Sequence, residues 1–297
     1  MAFSQARQQD RFSVPKPAAR QIAPGDAVFP PQLRQIPSPP KSLWFVGRMP
    51  SLGQRLVAIV GARAATRTGC DRAHAIAAEL ARGGVAIVSG GAFGIDAAAH
   101  EGALASGVPT FAVLGCGTDV VYPDRHATLF ARIAASGGLL AEYPPGTKPR
   151  AGQFPARNRI IAGLAEAVVV AEAAMRSGAL ITARLAREFG RALFAVPGSP
   201  GTDAYLRAGL AFPATSAVDI ERVLAGGQPS PMTAKPASGP LGAVLDAIAG
   251  GADTPAGLCH RLGVSLPSVL AILAEAEIEG FVRRATGNTY EVIGRAC

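Results

Sequence analysis

The 297-residue chain is long enough for one large domain or two of ordinary size, and its 49% hydrophobic content is sufficient for a buried core. No apolar run approaches the length of a membrane span, and the N-terminal segment lacks the apolar region of a secretory signal. The four cysteines, Cys70, Cys116, Cys259 and Cys297, form no CxxC pair, and their spacing suits neither a zinc site nor a disulfide framework. We therefore expect a reduced cytoplasmic protein without a bound metal.

The net charge of +8 is distributed unevenly. Residues 1–50 carry +5, residues 51–226 carry +4 and residues 227–297 carry −1. A basic excess favours a polyanionic partner, because lysine and arginine neutralise phosphates and release counterions. An arginine-rich proteome with a basic tail would produce the same excess, so charge alone leaves both interpretations open.

Residues 1–28 are polar with scattered proline, and this composition predicts a disordered N-terminal arm. The segment 29–47 is rich in proline but contains Leu33, Trp44 and Phe45, so we expect it to be an extended arm packed on a domain. That domain is predicted over residues 29–225.

Six short apolar runs follow, bounded by glycine or polar residues and without alternation, as is typical of strands buried on both faces. They cover residues 56–61, 85–90, 110–115, 138–143, 167–172 and 192–198. Helix-compatible stretches separate them, at residues 70–82, 95–106, 124–135, 154–164 and 179–189. This alternation predicts an α/β fold with a Rossmann-like, doubly wound and mostly parallel sheet. Such sheets bind ligands at the carboxyl ends of their strands.

The composition of residues 226–240 predicts a linker, followed by a small domain over residues 241–297. Helical patterns occupy 241–249, 254–264 and 265–281, and a hairpin is predicted around the sequence TGN. Three helices and a hairpin indicate a winged helix-turn-helix, with Ser265 as the N-cap of its longest helix. That helix contains three glutamates and no lysine or arginine, so we expect it to contact protein, or DNA weakly from the wing.

The sequence SGGAFGID, residues 89–96, places three glycines between a predicted strand and a predicted helix, where α/β proteins often hold phosphate. A dinucleotide site needs G-x-G-x-x-G after the first strand and an acid at the end of the second. Here the glycines follow the second strand, which ends at Ser89, and the Walker pattern GxxxxGK[ST] is absent. The sequence therefore lacks the defining residues of both nucleotide-binding motifs. Glycines at this place are also compatible with close packing of the helix on the strand.

Basic residues occur in several loops at the same predicted sheet edge. Arg63 follows the first strand, residues 157–159 read RNR at a helix start, and Arg176 and Ser177 precede another helix. A helix N-terminus with a hydroxyl and an arginine can bind phosphate. Each position alone is better explained as an N-cap or a surface ion pair, but their joint placement favours successive phosphates of a polymer.

Asp96 and His100 lie four residues apart and share a helix face. No G-x-S-x-G elbow and no second positioned acid accompany them, so a hydrolase is not supported. Stabilisation of the helix dipole by Asp96 and packing of His100 are the favoured interpretation.

Seven ordered motifs, among them VAIVGAR, IVSGGAFGIDAAAH, FPARNRIIAGLAEAVVVAEA and SGALITARLAREFGRALFAVPG, are similar to those of the DNA-processing protein A (DprA/Smf) family. The resemblance runs from about residue 29 to residue 198 and continues into the winged helix. It implies an extended Rossmann fold that binds single-stranded DNA, loads RecA onto it in natural transformation, and forms homodimers. It implies neither catalytic turnover nor a cofactor.

The resemblance also implies DNA-contacting residues in four motifs, each opening a loop or helix at the predicted sheet edge. They are Gly61 and Arg63 of the VGxR loop; Ser89, Gly90, Gly91, Phe93 and Gly94 of the SGxAxGID loop; Arg157, Asn158 and Arg159 of the RNR motif; and Arg176, Ser177, Gly178 and Thr182 of the basic-SG motif. Arg63 would be a phosphate contact.

The sequence departs from the family pattern in three places. Phe93 stands where members usually have arginine, which removes a cation but supplies a ring able to stack on a base. The segment after Pro197 lacks the usual long loop and its asparagine. A short proline-rich arm stands in place of the N-terminal helical domain of many members.

A nucleotide-binding enzyme on the same fold is the alternative function. Rossmann-like phosphoribohydrolases act on small nucleotides and contain a PGGxGTxxE motif. Residues 197–203, PGSPGTD, resemble it loosely and lack the glutamate, so this alternative ranks second.

Overall fold

A nine-stranded sheet is the centre of the computed structural model, which describes residues 18–229 and 239–293. Its strands are β1 (Arg20–Ile22), β2 (Leu43–Gly47), β3 (Leu56–Gly61), β4 (Ala86–Ser89), β5 (Thr110–Leu114), β6 (Gly138–Ala141), β7 (Ala167–Glu172), β8 (Ala192–Ala195) and β9 (Phe212–Pro213). Their order is β1-β2-β6-β5-β4-β3-β7-β8-β9. The seven neighbouring strands β6-β5-β4-β3-β7-β8-β9 all pair in parallel. The predicted doubly wound, mostly parallel sheet is therefore confirmed.

Eight helices accompany the sheet in this part of the described chain. They are α1 (Pro31–Arg34), α2 (Arg67–Arg82), α3 (Ile95–Ala105), α4 (Ala127–Ser136), α5 (Gln153–Leu164), α6 (Gly178–Glu188), α7 (Pro200–Arg207) and α8 (Ala217–Leu224). Apolar residues of α2, α3, α4 and α8 pack on one face, and those of α1, α5, α6 and α7 pack on the other. Neighbouring residues of β3 show why both faces are apolar, because Ala58 faces one core and Ile59 the other.

The order of the strands reverses beside β3. The chain moves from β3 through β4 and β5 to β6 on one side, then returns to form β7 on the other side of β3. Loops that leave adjacent carboxyl ends at such a switch point diverge to opposite faces and leave a crevice between them. The topology therefore places any ligand near the ends of β3 and β7.

The N-terminal part of the domain differs from the sequence-based expectation. The sequence predicts disorder for residues 1–28, of which residues 1–17 lie outside the described residues. Within the rest, Arg20–Ile22 form strand β1, so the predicted disorder is wrong for these three residues. The segment 29–47 contains α1 and β2, and β2 pairs antiparallel with β6 and β1. The last four residues of β2 pair with all of β6, from Trp44 opposite Ala141 to Gly47 opposite Gly138.

The C-terminal domain has the predicted winged-helix order. It consists of α9 (Pro240–Ala249), α10 (Pro255–Leu262), α11 (Leu266–Ile278), β10 (Val282–Arg284) and β11 (Tyr290–Val292), and the two strands form an antiparallel hairpin. The Ser265 hydroxyl accepts a hydrogen bond from the backbone N–H of Ser268 at 3.4 Å, as its predicted N-cap role requires. Most of the predicted linker, residues 230–238, lies outside the described residues. Within them, no single helix has the length and hydropathy of a membrane span, although α10 and α11 together, bent by 116°, reach both.

The winged helix packs against α7 of the larger domain. Tyr205 and Phe281 meet edge to face with ring centroids 5.0 Å apart, and both side chains are buried. Arg207 Nε lies 3.8 Å from Asp246 Oδ2 on α9. This apolar contact with a polar margin joins the two domains.

Candidate functional site

A cleft of about 510 Å³ opens at the carboxyl ends of β3, β4 and β7, where the strand order reverses. Five segments bound it: the loop after β3, the turn after β4, the loop after β5, the segment that leads into α5 with the start of that helix, and the N-terminus of α6. Its lining includes Arg63, Tyr122, Arg150, Phe154, Asn158, Ser177 and Thr182. This is the sheet edge at which the sequence predicts a ligand.

The predicted site residues are not all in the cleft. Those that line it are Gly61, Arg63, Arg157, Asn158, Ser177, Gly178 and Thr182. An adjoining cavity of about 50 Å³ is lined by Gly90, Gly91 and Phe93 together with Arg63 and Arg157. Ser89, Gly94, Arg159 and Arg176 line neither of these two cavities.

The glycine-rich turn after β4 is tightly packed against the protein itself. A Cβ atom on Gly90 would lie 2.5 Å from a guanidinium nitrogen of Arg157 and 2.6 Å from Asp96 Oδ2. Gly94 has φ of +73°, and a Cβ there would collide with the carbonyl oxygen of Ala62. These two glycines are therefore required by contacts within the protein, whatever ligand the neighbouring cleft binds.

Arg157 is buried and holds the same turn in place through hydrogen bonds. Its guanidinium donates hydrogen bonds to the carbonyl oxygens of Gly90, at 2.7 Å, and Val113. Burial lowers the pKa of Arg157, whereas the nearby Asp96 carboxylate raises it. Burial raises the pKa of Asp96, and Arg157 is the largest influence that opposes this. The predicted phosphate contact of Arg157 stays a prediction, and the structure shows the residue bound to backbone.

The other members of the RNR motif also bind protein groups. Arg159 Nη2 lies 2.6 Å from Glu142 Oε1, and its Nε donates to the carbonyl oxygen of Ser38 at 2.9 Å. Asn158 Nδ2 donates to the carbonyl oxygen of Gly178 at 3.2 Å. The motif thus fastens α5 to the proline-rich arm and to the start of α6.

Two serines of the predicted site have local structural roles. The hydroxyl of Ser89 is fully buried and donates to the carbonyl oxygen of Ile59 at 2.6 Å. Ser177 caps α6, because its side chain accepts from the backbone N–H of Ala179 at 3.3 Å. Ser89 therefore joins β4 to β3, whereas Ser177 lies at the cleft surface.

Arg63 differs from these residues because its charged group is exposed. Its guanidinium carbon lies 5.1 Å from the ring centroid of Phe154, which is cation–π geometry. Across residues 18–229 and 239–293, its side chain makes no hydrogen bond or ion pair. The guanidinium is consequently available to an anion at the mouth of the cleft.

Three further residues of the cleft, Arg150, Tyr122 and Phe154, were missed by the sequence-based assignment. Arg150 is exposed and lines the cleft just before α5. Tyr122 is 41% exposed, and its ring centroid lies 5.4 Å from that of Phe154. Arg150 ends the sequence TKPR, which precedes the RNR motif, and Tyr122 lies in the sequence VVYP, which follows the third predicted strand. Neither sequence directly adjoins the end of a predicted strand, so the search at the strand ends did not find these residues.

Phe93, the unusual residue of the glycine-rich turn, is 42% exposed. Its ring meets His126 edge to face at a centroid distance of 4.7 Å. His126 Nδ1 is in turn 3.0 Å from the carbonyl oxygen of Gly91. The exposed ring therefore has a fixed support, as a stacking surface requires.

The cleft combines exposed arginines that have no ion-pair partner among the described residues with accessible aromatic rings around an open mouth. In the described ranges, no group of three or more His, Cys, Asp or Glu side chains is placed to bind a metal ion. Guanidinium groups bind phosphates, and aromatic rings stack on bases. The fold and the cleft define a Rossmann-type domain with an arginine-lined cleft, joined to a winged helix.

Comparison with known sequences assigns the family. The model of the DNA recombination-mediator protein A family matches residues 20–223, and that of the DprA winged helix domain matches residues 228–288. The chain belongs to the DNA recombination-mediator protein A family, also called DprA or Smf, so the resemblance in the sequence motifs is confirmed.

Individual relatives agree with this assignment. Protein Smf of Synechocystis sp. is 50% identical over 183 residues, which are 60% of this chain and 46% of that protein, so the match spans about half of its length. The DNA processing protein A (DprA) structure from Streptococcus pneumoniae has a TM-score of 0.66 at 41% identity, covering 70% of this chain and 74% of that one. The DNA processing protein A structure from Helicobacter pylori, described for its single-stranded DNA binding mode, has a TM-score of 0.64 at 32% identity and covers 71% and 97%.

Proposed function

We propose that the protein binds single-stranded DNA at the cleft, in the processing and recombination of DNA. The observation that carries the proposal is the exposed guanidinium of Arg63, which lies against Phe154 at the topological switch point and has no ion-pair partner in the described part of the chain. Single-strand binders combine cations that follow the backbone with aromatic rings on which bases stack. The Helicobacter pylori relative, described for its single-stranded DNA binding, supports this choice of ligand.

The same chemistry accounts for binding without strong sequence preference. Arg63 and Arg150 offer charge to phosphates, which are identical at every nucleotide. Tyr122, Phe154 and Phe93 offer ring faces, and every base has a π-face. Affinity should therefore depend on salt far more than on sequence.

The proposal extends to the partners of the protein. It acts as a cytoplasmic homodimer and transfers the bound strand to RecA without catalytic turnover. Membership of the recombination-mediator family supports these parts. A RecA pull-down tests the handover: the interaction should persist after nuclease treatment if RecA contacts the protein directly.

A salt titration tests the ligand. Binding of a fluorescent oligo-dT and of a matched duplex is measured by anisotropy over a range of salt concentrations. We expect preference for the single strand and a linear fall of log K with log salt, with a slope of about −0.7 per phosphate neutralised. Equal binding of the duplex, or an affinity insensitive to salt, would contradict the proposal.

The cavity volume favours a second candidate function. About 510 Å³ lies within the range of small-ligand sites, as a phosphoribohydrolase-like enzyme acting on a small nucleotide would require. A thermal-shift comparison of mononucleotides, NAD and oligo-dT separates the two functions. Stabilisation by a mononucleotide or NAD, but not by oligo-dT, would reverse their order.

A further inference from the structure

The winged helix reaches the rim of the cleft at the N-terminus of α6. Arg176 directly precedes Ser177, the N-cap of α6, and Ser177 and Gly178 line the cleft. The Arg176 side chain is 82% exposed, yet its Nε lies 3.1 Å from Oε1 of Glu275 on α11. The cation nearest to the α6 entrance is therefore paired with a carboxylate of the other domain.

A second ion pair joins the same two helices. Arg184 Nη1, on α6, lies 3.5 Å from Oε2 of Glu279, which follows the last residue of α11. Glu275 and Glu279 are one helical turn apart, so they lie on the same face. Glu277, between them in sequence, is exposed, and its carboxylate has no hydrogen-bond or ion-pair partner in the described part of the chain.

The charge of α11 is unusual for its position in the domain. The corresponding helix of a DNA-reading helix-turn-helix enters the major groove and reads bases with Arg, Lys, Asn or Gln. Residues 265–280 contain no Lys or Arg and three glutamates, two of which pair with Arg176, just before α6, and with Arg184 on α6. The helix is thus complementary to the cationic rim of the cleft and has the charge sign of DNA.

We propose that the acidic end of α11 competes with DNA for the rim of the cleft. In the free protein Glu275 binds Arg176, and an entering single strand displaces Glu275 with a phosphate oxygen. Carboxylate and phosphate oxygens accept the same charge-assisted hydrogen bonds from a guanidinium, so both cannot occupy Arg176 fully. The inference rests on the proposed binding of single-stranded DNA at the cleft.

The local structure allows this exchange without separation of the domains. The apolar contact of Tyr205 with Phe281 is buried, whereas the Arg176–Glu275 pair is exposed. A cavity of about 440 Å³, lined by Met175 and Ile272 among others, lies beside Glu275. The ion pair can therefore open while the buried contact persists, and competition modulates affinity without blocking the site.

The test compares E275Q with E277Q in the full-length protein. Both substitutions remove one negative charge from the same helix, but only Glu275 is paired with Arg176. Since an exposed pair contributes little free energy, E275Q should tighten oligo-dT binding by about two- to fivefold. E277Q should leave the dissociation constant close to the wild-type value, and R176A should abolish the effect of E275Q.

Three results would overturn the inference. If E275Q weakens binding, Glu275 positions Arg176 for DNA and does not compete with it. If E275Q and E277Q tighten binding equally, the effect is one of overall charge. If the wild type and both variants melt at the same temperature but none binds oligo-dT, the proposed function of the cleft fails, and the competition fails with it.

Discussion

Two sides of one sheet edge use similar residues in different ways. The packed side consists of the turn 89–96 apart from Phe93, together with Arg157 and the helix α3, and its polar groups bind the protein itself. The exposed ring of Phe93 belongs to the open side. The open side consists of Arg63, Arg150 and the rings around Phe154, and its charged groups are exposed. Residue type does not distinguish the sides, because both contain arginine beside glycine-rich loops. The two sides differ in whether the guanidinium group is buried and hydrogen-bonded to the protein, or exposed to solvent.

This comparison predicts that substitutions on the two sides change different measured properties. A substitution on the packed side should lower the free energy of unfolding. A substitution on the open side should lower affinity for DNA while the fold persists. The comparison fails if either kind of effect appears on the other side.

The largest effect is expected for Arg157→Ala. The change leaves Asp96 buried without its opposing charge, so the free energy of unfolding should fall by about 3–5 kcal/mol. Urea denaturation followed by circular dichroism measures it. Arg159→Ala, in the same motif but at a partly exposed ion pair, should cost about 1 kcal/mol. Normal stability of Arg157→Ala together with lost DNA binding would move Arg157 to the open side.

The next effect is a loss of stability in acid that depends on His100 of α3. Burial lowers the pKa of His100 from 6.5 to about 3. The folded state therefore excludes a proton that the unfolded chain binds, and stability present above pH 6.5 is lost as pH falls toward 3. At pH 5 the loss is about 2 kcal/mol, since each pH unit is about 1.4 kcal/mol.

Denaturation of the wild type and of His100→Gln at pH 7.5 and pH 5 checks this effect. The raised pKa of Asp96 acts in the opposite direction, since its contribution is lost as pH rises, but it is common to both proteins. The wild type should lose about 2 kcal/mol more than the variant over this interval. An equal loss in both proteins would show that His100 does not remain neutral in the folded state.

On the open side, Arg63→Ala should weaken oligo-dT binding by about tenfold, because the guanidinium that would contact a phosphate is lost, whereas Phe154 remains. The unfolding transition should not move. Arg82→Ala is the matched control, because Arg82 is an exposed arginine at the far end of α2, on the opposite edge of the sheet. Unchanged affinity in Arg63→Ala would remove the cleft from the proposed function.

The smallest effect is expected at Phe93. Phe93→Ala should weaken binding by about fivefold, the low end of base-stacking contributions, since the ring is only partly exposed. Anisotropy titrations at constant salt measure the change, and Phe93→Arg tests the arginine usual in the family. If Phe93→Arg tightens binding and Phe93→Ala changes nothing, the ring only fills space beside His126.

Much of the fold was predictable, because local patterns encode it. Strands buried on both faces are continuous apolar runs, and their alternation with helices implies the parallel sheet. The structure adds β1, β2 and β9 at the margins, together with α7 and α8. The pairing of β2 with β6 joins residues almost a hundred positions apart, and nothing in its proline-rich surroundings predicts the partner.

The sequence by itself determined the order of the main elements, the family and the loops at the candidate binding edge of the sheet. The tertiary structure decided which groups in those loops are free. Arg157, adjacent to Asp96 in space, is buried and hydrogen-bonded, whereas Arg63 is exposed and has no ion-pair partner within residues 18–229 and 239–293. Arg176 is engaged by Glu275, 99 residues away. Local patterns set backbone conformation, but the charge available to a ligand depends on burial and on partners that only the folded chain brings together.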